Sequence, residues 1–533
     1  MATNTTSSGA GDLFQRKATG LLRGWSVWDA FIYATFSINL ITLGLFILSY
    51  APFIPDGALI PAIILSGLYL IFQAITYASL IAVMPRAGGD YVWMSRILGG
   101  GVGFVLAVTG WWFILWHWVP IYADILVKEV FVPFSAILGL DGIEAFFGEA
   151  VGLFTACVIV ALLASALISL GMRGYARVQK ICFYGGLFGL AFMLVLLLVS
   201  SRSDFVSAFN AGASEFLGAS GNAYQQTLEA GRDATPTATA LTPTLLLIPF
   251  LAFFNLFSNW GATLYGEVRG ASDFRKNIYA MGGALVVTSS IAVVMLLLFA
   301  KTFGWDFYYA ANGAFWAGEG AISAWPYPGL LAAFLLENPV LQLILIGLMS
   351  LWFFGWVGTV FMSSTRVVFA TAFDRVLPEW VSKTSRNGVP YAALLLMLIP
   401  SIPISYMYAF GEDFATWTLN ATLVIAVTFF GSAVAAAVLP WRRPDIYNAS
   451  PIARYNVLGI PLVTIAAVAF LAFLSFCLYQ WVTNDVYGIN NTSSFIYLGA
   501  MYLLALVIYV GFRLLRRAQG MDLNMVYSEI PEE

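Results

Sequence analysis

Ala191-Phe192-Met193-Leu194-Val195-Leu196-Leu197-Leu198-Val199 is apolar at every position and does not alternate. A strand of a membrane barrel would alternate apolar and polar residues over ~10 positions. This run instead suits a helix that meets apolar surroundings on all sides. It is one of about twelve such stretches, which we place at 27–50, 58–83, 101–128, 150–170, 178–200, 243–266, 278–300, 340–372, 391–410, 414–440, 457–481 and 494–515. Each of them reaches the ~20 residues that a helix needs to cross the hydrocarbon core of a bilayer.

Composition agrees. The 533-residue chain is 60% hydrophobic and 10% charged, with mean hydropathy +0.84. Soluble domains carry about a quarter charged residues. An interior cannot absorb so much apolar surface, but lipid can. The net charge of −3 makes nucleic acid an unsuitable partner. Charge placement tests the span list. With the N-terminus cytoplasmic, every Lys and Arg falls on the inner side except Lys128, Arg202, Arg232 and Lys301. That is the positive-inside bias, and a miscounted span would have scrambled it downstream. We therefore expect a multi-pass protein of the cell (plasma) membrane with both termini cytoplasmic. Residues 1–24, rich in Ser, Thr and Gly, are expected to be a disordered cytoplasmic tail, and 518–533 a second tail. No short cleavable apolar region precedes the first span, so no signal peptide is expected to be removed. Cys157, Cys182 and Cys477 all lie within spans and form no disulfide or metal framework. No metal and no cofactor is expected.

Three basic, helix-breaking loops fall on the inner side. The first is Met84-Pro85-Arg86-Ala87-Gly88-Gly89-Asp90-Tyr91, with Arg96 beyond it. The second is Gly171-Met172-Arg173-Gly174-Tyr175-Ala176-Arg177. The third runs from Ser364-Thr365-Arg366 through Asp374-Arg375-Val376-Leu377-Pro378 to Pro390. Span 6 ends on Gly266-Glu267-Val268. In this order and at this spacing the set resembles the amino acid–polyamine–organocation (APC) family of permeases.

The resemblance implies an all-α membrane protein of twelve transmembrane helices. Two inverted five-helix repeats would occupy 25–200 and 242–440, joined by an extracellular loop at 201–241, with spans 11 and 12 in 455–517. Helices 1 and 6 would be broken at mid-membrane, where their half-helix ends line the site. The sequence adds its own sign of this. Span 1 holds Asn39-Leu40-Ile41-Thr42 and span 6 holds Asn255-Leu256-Phe257-Ser258. Both are polar interruptions with the same Asn-Leu-apolar-hydroxyl order.

A broken helix exposes N–H groups that hold a carboxylate and C=O groups that hold an ammonium. The middles of spans 1, 3, 6 and 8 contain no Asp, Glu, Lys or Arg, which favours a neutral zwitterion. Candidate substrate-binding residues are Ser37, Ile38, Asn39, Thr42 and Gly44 in span 1, and Asn255, Phe257, Ser258 and Asn259 in span 6. Trp112 of the aromatic-rich span 3 would help wall an apolar side chain. The same polar residues also suit plain helix–helix hydrogen bonding. The chain departs from the family's Gly-x-Gly in span 1, where Thr42-Leu43-Gly44 stands; side-chain donors would replace bare backbone there.

Coupling-ion candidates are His117, the only histidine, and Glu267 for protons. Thr359, Ser363 and Ser364 would serve for sodium. Some relatives carry a buried Lys in span 5; the matching position here is Gly186, or Gly185 one residue earlier, and Lys180 is expected to be a solvated anchor. Arg23, Asp29, Glu267, Arg366 and Asp374 are expected at an inner gate.

The sequence thus reads as a secondary active transporter. It would import a neutral, apolar or aromatic amino acid by alternating access, coupled to H⁺ or Na⁺. Alternatives are a transporter of another amine or a purine-like solute, and a membrane solute receptor or sensor. An enzyme is not expected: the sequence offers no paired carboxylates at depth and no Gly-x-Ser-x-Gly. The partners are then a small solute, a coupling ion and the lipid bilayer.

Overall fold

The computed structural model describes residues 20–140, 142–411, 414–417 and 421–530. The expected N-terminal tail lies almost entirely outside these residues, as do the last three positions of the C-terminal one.

Eleven helical segments among the described residues are long and apolar enough to cross a membrane: Val27–Leu48, Leu59–Val83, Ala150–Ser169, Gly171–Val199, Leu241–Glu267, Phe274–Thr302, Pro339–Phe373, Tyr391–Phe410, Ala421–Arg442, Leu462–Thr483 and Thr492–Ala518. They match expected spans 1, 2 and 4–12. The third expected span is present as a run of shorter helical pieces from Gly100 to Leu138. Wide π turns at Thr109–Phe113 and Val127–Phe131 and a 3₁₀ turn at Ile114–His117 interrupt it. Such mid-helix departures mark places where side chains are re-aimed. Trp111, Trp118 and Glu129, in or next to these turns, are all buried.

Span 1 packs against spans 6 and 7, span 2 against 7, span 4 against 9, and span 5 against 8. Span 3 lies against span 10 and span 11 beside it. The long connections are not bare loops. The one after span 5 forms helices Arg202–Leu217 and Ala223–Ala230, and the one after span 7 forms Trp305–Ala317 and Pro328–Phe334. Phe205, Phe209, Tyr224 and Phe307 bind these caps together, with ring centroids 4.8–6.5 Å apart. Aromatic side chains bury much surface per ordered residue, which is why a connection of this length holds a fixed shape.

Candidate functional site

Span 1 breaks at Asn39. Its first helix, Val27–Ile38, ends there in a left-handed conformation with φ 40° and ψ 69°. Asn tolerates that region better than other residues with a side chain. The Asn39 amide then closes the gap. Its Oδ1 accepts from the Thr42 backbone N–H at 3.2 Å, and its Nδ2 donates to the Trp352 carbonyl at 3.3 Å. The chain continues as a wide π turn over Leu40–Gly44. A Cβ at Gly44 would press on Phe254 at 3.3 Å, so the small residue lets spans 1 and 6 approach. Upstream, the Ser37 hydroxyl donates to its own helix at Tyr33, and Ile38 is buried.

Span 6 breaks directly across from it. Helix Leu241–Asn255 ends, Phe257 has non-helical φ −97° and ψ 16°, and the chain goes on as tighter turns to Glu267. Gln73 of span 2 holds this break. Its Nε2 donates to the Leu256 carbonyl at 2.6 Å and to Asn259 Oδ1 at 3.0 Å, and its Oε1 accepts from the Ser258 hydroxyl at 3.4 Å. Asn255 Nδ2 donates to the Ser66 hydroxyl at 2.8 Å. Asn255 Oδ1 and Asn259 Nδ2 are buried without a partner among the described residues. Unsatisfied buried polar atoms cost about 1–3 kcal/mol each, so two of them beside one break ask for an explanation such as a ligand.

Aromatic rings cover the break. Trp118 meets Phe257 at 5.3 Å and Trp260 at 5.7 Å, and Trp111 meets Trp260 at 4.6 Å. Trp112 faces the other way. It and Trp116 both donate to the Leu396 carbonyl of span 9. Trp118 also lines a cleft of about 520 Å³, together with Leu43, Phe46, Phe250, Phe253 and Trp316 among others, and with Asp124 and Lys128. Phe53, Trp316 and Tyr487, from the connections after spans 1, 7 and 11, contribute to its lining, and most Lys and Arg lie in the other set of connections. The cleft falls within the 300–1,000 Å³ of small-molecule sites.

The basic side is closed. The Trp25 backbone pairs with the end of span 6, its N–H donating to the Glu267 carbonyl at 3.2 Å and its carbonyl accepting from Arg269 at 2.9 Å. Gly88 and Gly89, with φ 95° and 37°, lie flat against span 6, and a Cβ on Gly89 would sit 3.0 Å from the Ala262 carbonyl and the Thr263 backbone. Two fully buried ion pairs clamp this face: Arg366 on Glu267 at 2.6 and 3.1 Å, and Arg96 on Asp374 at 2.5 and 2.8 Å. Asp29 pairs with Lys180 at 2.7 Å, so Lys180 has a specific partner, while Arg23 is exposed. Of the five expected gate residues, Arg366 and Glu267 thus pair with each other, while Asp374 and Asp29 pair with Arg96 and Lys180 and Arg23 joins none of these ion pairs.

Among the coupling candidates, His117 reaches Tyr497 of span 12 at 2.7 Å and the Phe113 carbonyl at 3.1 Å. Thr359 shares a hydrogen bond of 2.8 Å with Tyr122, and its carbonyl accepts from Trp260. Ser363 bridges Tyr33 and the Trp260 carbonyl, whereas Ser364 Oγ has no partner among the described residues. In span 5 the Gly186 carbonyl accepts from Trp352 Nε1 at 2.9 Å.

Four residues of weight escaped the sequence reading: Gln73, Asp90, Glu129 and Trp260. A Gln inside an apolar span was the available signal for the first. Asp90 sits in the first loop motif and takes donors from Tyr77, Ser432 and Trp111 at 2.7, 2.6 and 3.1 Å. Burial pushes its carboxyl up to about 6 against the pull of those donors.

Residues 26–508 match the family described as amino acid permease, and the chain belongs to that family. It is 25% identical to the Asc-type amino acid transporter 1 of Mus musculus over 78% of this chain and 68% of the mouse protein. It is 24% identical to the branched-chain amino acid permease BcaP of Bacillus subtilis (strain 168), over 83% of this chain and 86% of that protein. The protein is therefore a multi-pass membrane transporter for amino acids and not an enzyme.

Proposed function

We propose that the chain is a secondary active transporter that imports a neutral, apolar or aromatic amino acid across the plasma membrane by alternating access. The observation that carries this reading is the apolar, ring-lined cleft of about 520 Å³ lined by Leu43 of the span 1 break and by Trp118, which meets Phe257 of the span 6 break. The unpaired Asn255 Oδ1 and Asn259 Nδ2 supply polar atoms for a zwitterion at that level. Phe257 and Trp260 meet Trp118 but do not line the cleft, and we assign the three to an occluding layer that must move for substrate to enter.

The pairing of span 1 with 6, 2 with 7 and 4 with 9 fits twelve helices built on two inverted repeats, because each pair joins equivalent members of the two halves. Closure on the basic side fits an outward-facing state with both termini cytoplasmic. The names of the two relatives favour an amino acid, and that of the Bacillus subtilis permease a branched-chain one, over other amines or purine-like solutes. The coupling ion is H⁺ or Na⁺. The sodium set is weakened because the Thr359 and Ser363 hydroxyls are already engaged.

A ligand that binds the native state raises its unfolding temperature by mass action. Purified protein screened by thermal shift should respond to leucine, isoleucine, valine or phenylalanine and not to lysine, glutamate or adenine. A response limited to adenine or to polyamines would replace the substrate class.

A further inference from the structure

Glu129 is the one buried carboxylate described above that has neither a cationic partner nor a complete set of donors. It sits in the wide π turn Val127–Phe131 of span 3 and is 1% exposed. Its Oε1 accepts from the Thr42 hydroxyl of the span 1 break at 3.1 Å and from the Tyr327 hydroxyl of the outer cap at 3.3 Å. Its Oε2 is buried with no partner. One side chain thereby joins the substrate-side break, span 3 and the cap that begins the helix Pro328–Phe334.

We propose that Glu129 binds the coupling proton, on Oε2, and that its protonation latches the outer cap and the span 1 break together. This rests on the transport reading above.

An ionised carboxylate shut away from water without a cation is expensive, by several kcal/mol. The charged groups around it offer no relief. Lys128 bonds to Asp124 on the preceding turn. Glu144, on the neighbouring helix Gly142–Gly148, lines a separate cleft with those two. The span 1 break, the part of span 8 that touches the turn, and the helix Pro328–Phe334 carry no charged side chain. A hard metal cation would need several more oxygen ligands, and no cluster of His, Cys, Asp or Glu suited to a metal occurs among the described residues. A proton on Oε2 removes the charge and leaves Oε1 free to accept both hydroxyls.

Access fits a gated site. Leu43 and Lys128 line the outer cleft, and Val127, Lys128 and Trp325 line the second cleft, yet Glu129 lines neither. Lifting Tyr327 would wet the carboxyl from outside. Movement of the span 1 break, through Thr42, would wet it later in the cycle and release the proton.

The full-length protein in proteoliposomes tests this in two ways. Infrared spectra of wild type minus Glu129→Gln should contain the stretch of a protonated carboxylic acid at neutral pH, which titrates away as pH rises. Tyr327→Phe, which removes one donor, should displace that titration and serves if Glu129→Gln does not fold. Absence of the band, or a titration indifferent to Tyr327→Phe, overturns the proposal whether or not the chain transports. In transport, Glu129→Gln should retain leucine counterflow within twofold of wild type while pH-gradient-driven accumulation falls to the equilibrium level. Accumulation that survives the substitution, or that needs sodium, also overturns it. Failure of wild type to exchange any neutral amino acid would instead sink the transport reading and leave the infrared result to decide the site.

Discussion

Asp374→Asn should open the basic side of the bundle. The Arg96–Asp374 pair is bidentate, and its side chains are 0% and 1% exposed. It fastens the first loop motif to the third. Removing one member of a buried pair costs about 3–5 kcal/mol because the other charge is left unpaired. Arg96 keeps the Ser95 hydroxyl at 2.8 Å and the Glu529 carbonyl at 3.3 Å, which places the loss near the lower figure. In an open state the guanidinium meets water, so that loss falls on the closed state alone. At about 1.4 kcal/mol per tenfold, the closed-to-open ratio should drop by roughly two orders of magnitude. Thr263 reports on this. It is buried, and its carbonyl accepts from the Gly88 N–H at 2.8 Å. A Thr263→Cys reporter should react with a polar maleimide supplied from the basic side roughly a hundredfold faster in the Asp374→Asn background. The native cysteines are buried and should contribute little. Adding Arg96→Met should restore much of the protection, since it removes the unpaired charge. An unchanged labelling rate in a well-folded Asp374→Asn protein would mean that the pair is not part of the closure.

Other consequences follow from the breaks. Asn39→Leu should lower transport at least tenfold, about 1.4 kcal/mol in one step, because it loses both the left-handed backbone and the amide bonds. Asn39→Gly keeps the backbone and should retain clearly more uptake at equal surface expression; equal loss in the two would assign the effect to the amide alone. Gln73→Leu strips the Leu256 carbonyl and Asn259 of their donor and should reduce uptake at least tenfold with normal surface levels, while full activity would show that the span 6 break does not depend on span 2. Arg86→Ala, at the basic boundary, should change turnover more than equilibrium substrate affinity, and parallel losses in both would contradict that placement.

Much of the fold was legible because lipid imposes length and polarity on each helix separately. The apolar runs, the basic loops and the Asn39 and Asn255–Asn259 interruptions depend on local sequence, and the structure has its breaks there. Span 3 was placed but not its π turns, since a wide turn changes which side chains face inward without changing hydropathy. That is why Trp112 stood out in the sequence, whereas Trp111 and Trp118 meet the span 6 break. Glu129 was passed over for the same reason: it falls one residue beyond the expected end of the span, where a carboxylate normally reaches water. The partners of the ion pairs were only partly readable. Arg366 and Glu267 lie 99 positions apart and Arg96 and Asp374 lie 278 apart, and nothing local to either residue specifies its mate.

Counterflow in proteoliposomes tests the central claim most directly. Vesicles holding the purified chain and loaded with unlabelled leucine should take up labelled leucine saturably, and phenylalanine or valine should compete while lysine, glutamate and adenine do not. Binding of leucine without exchange would mark a receptor, and exchange confined to an amine or a purine would contradict the neutral amino acid as substrate.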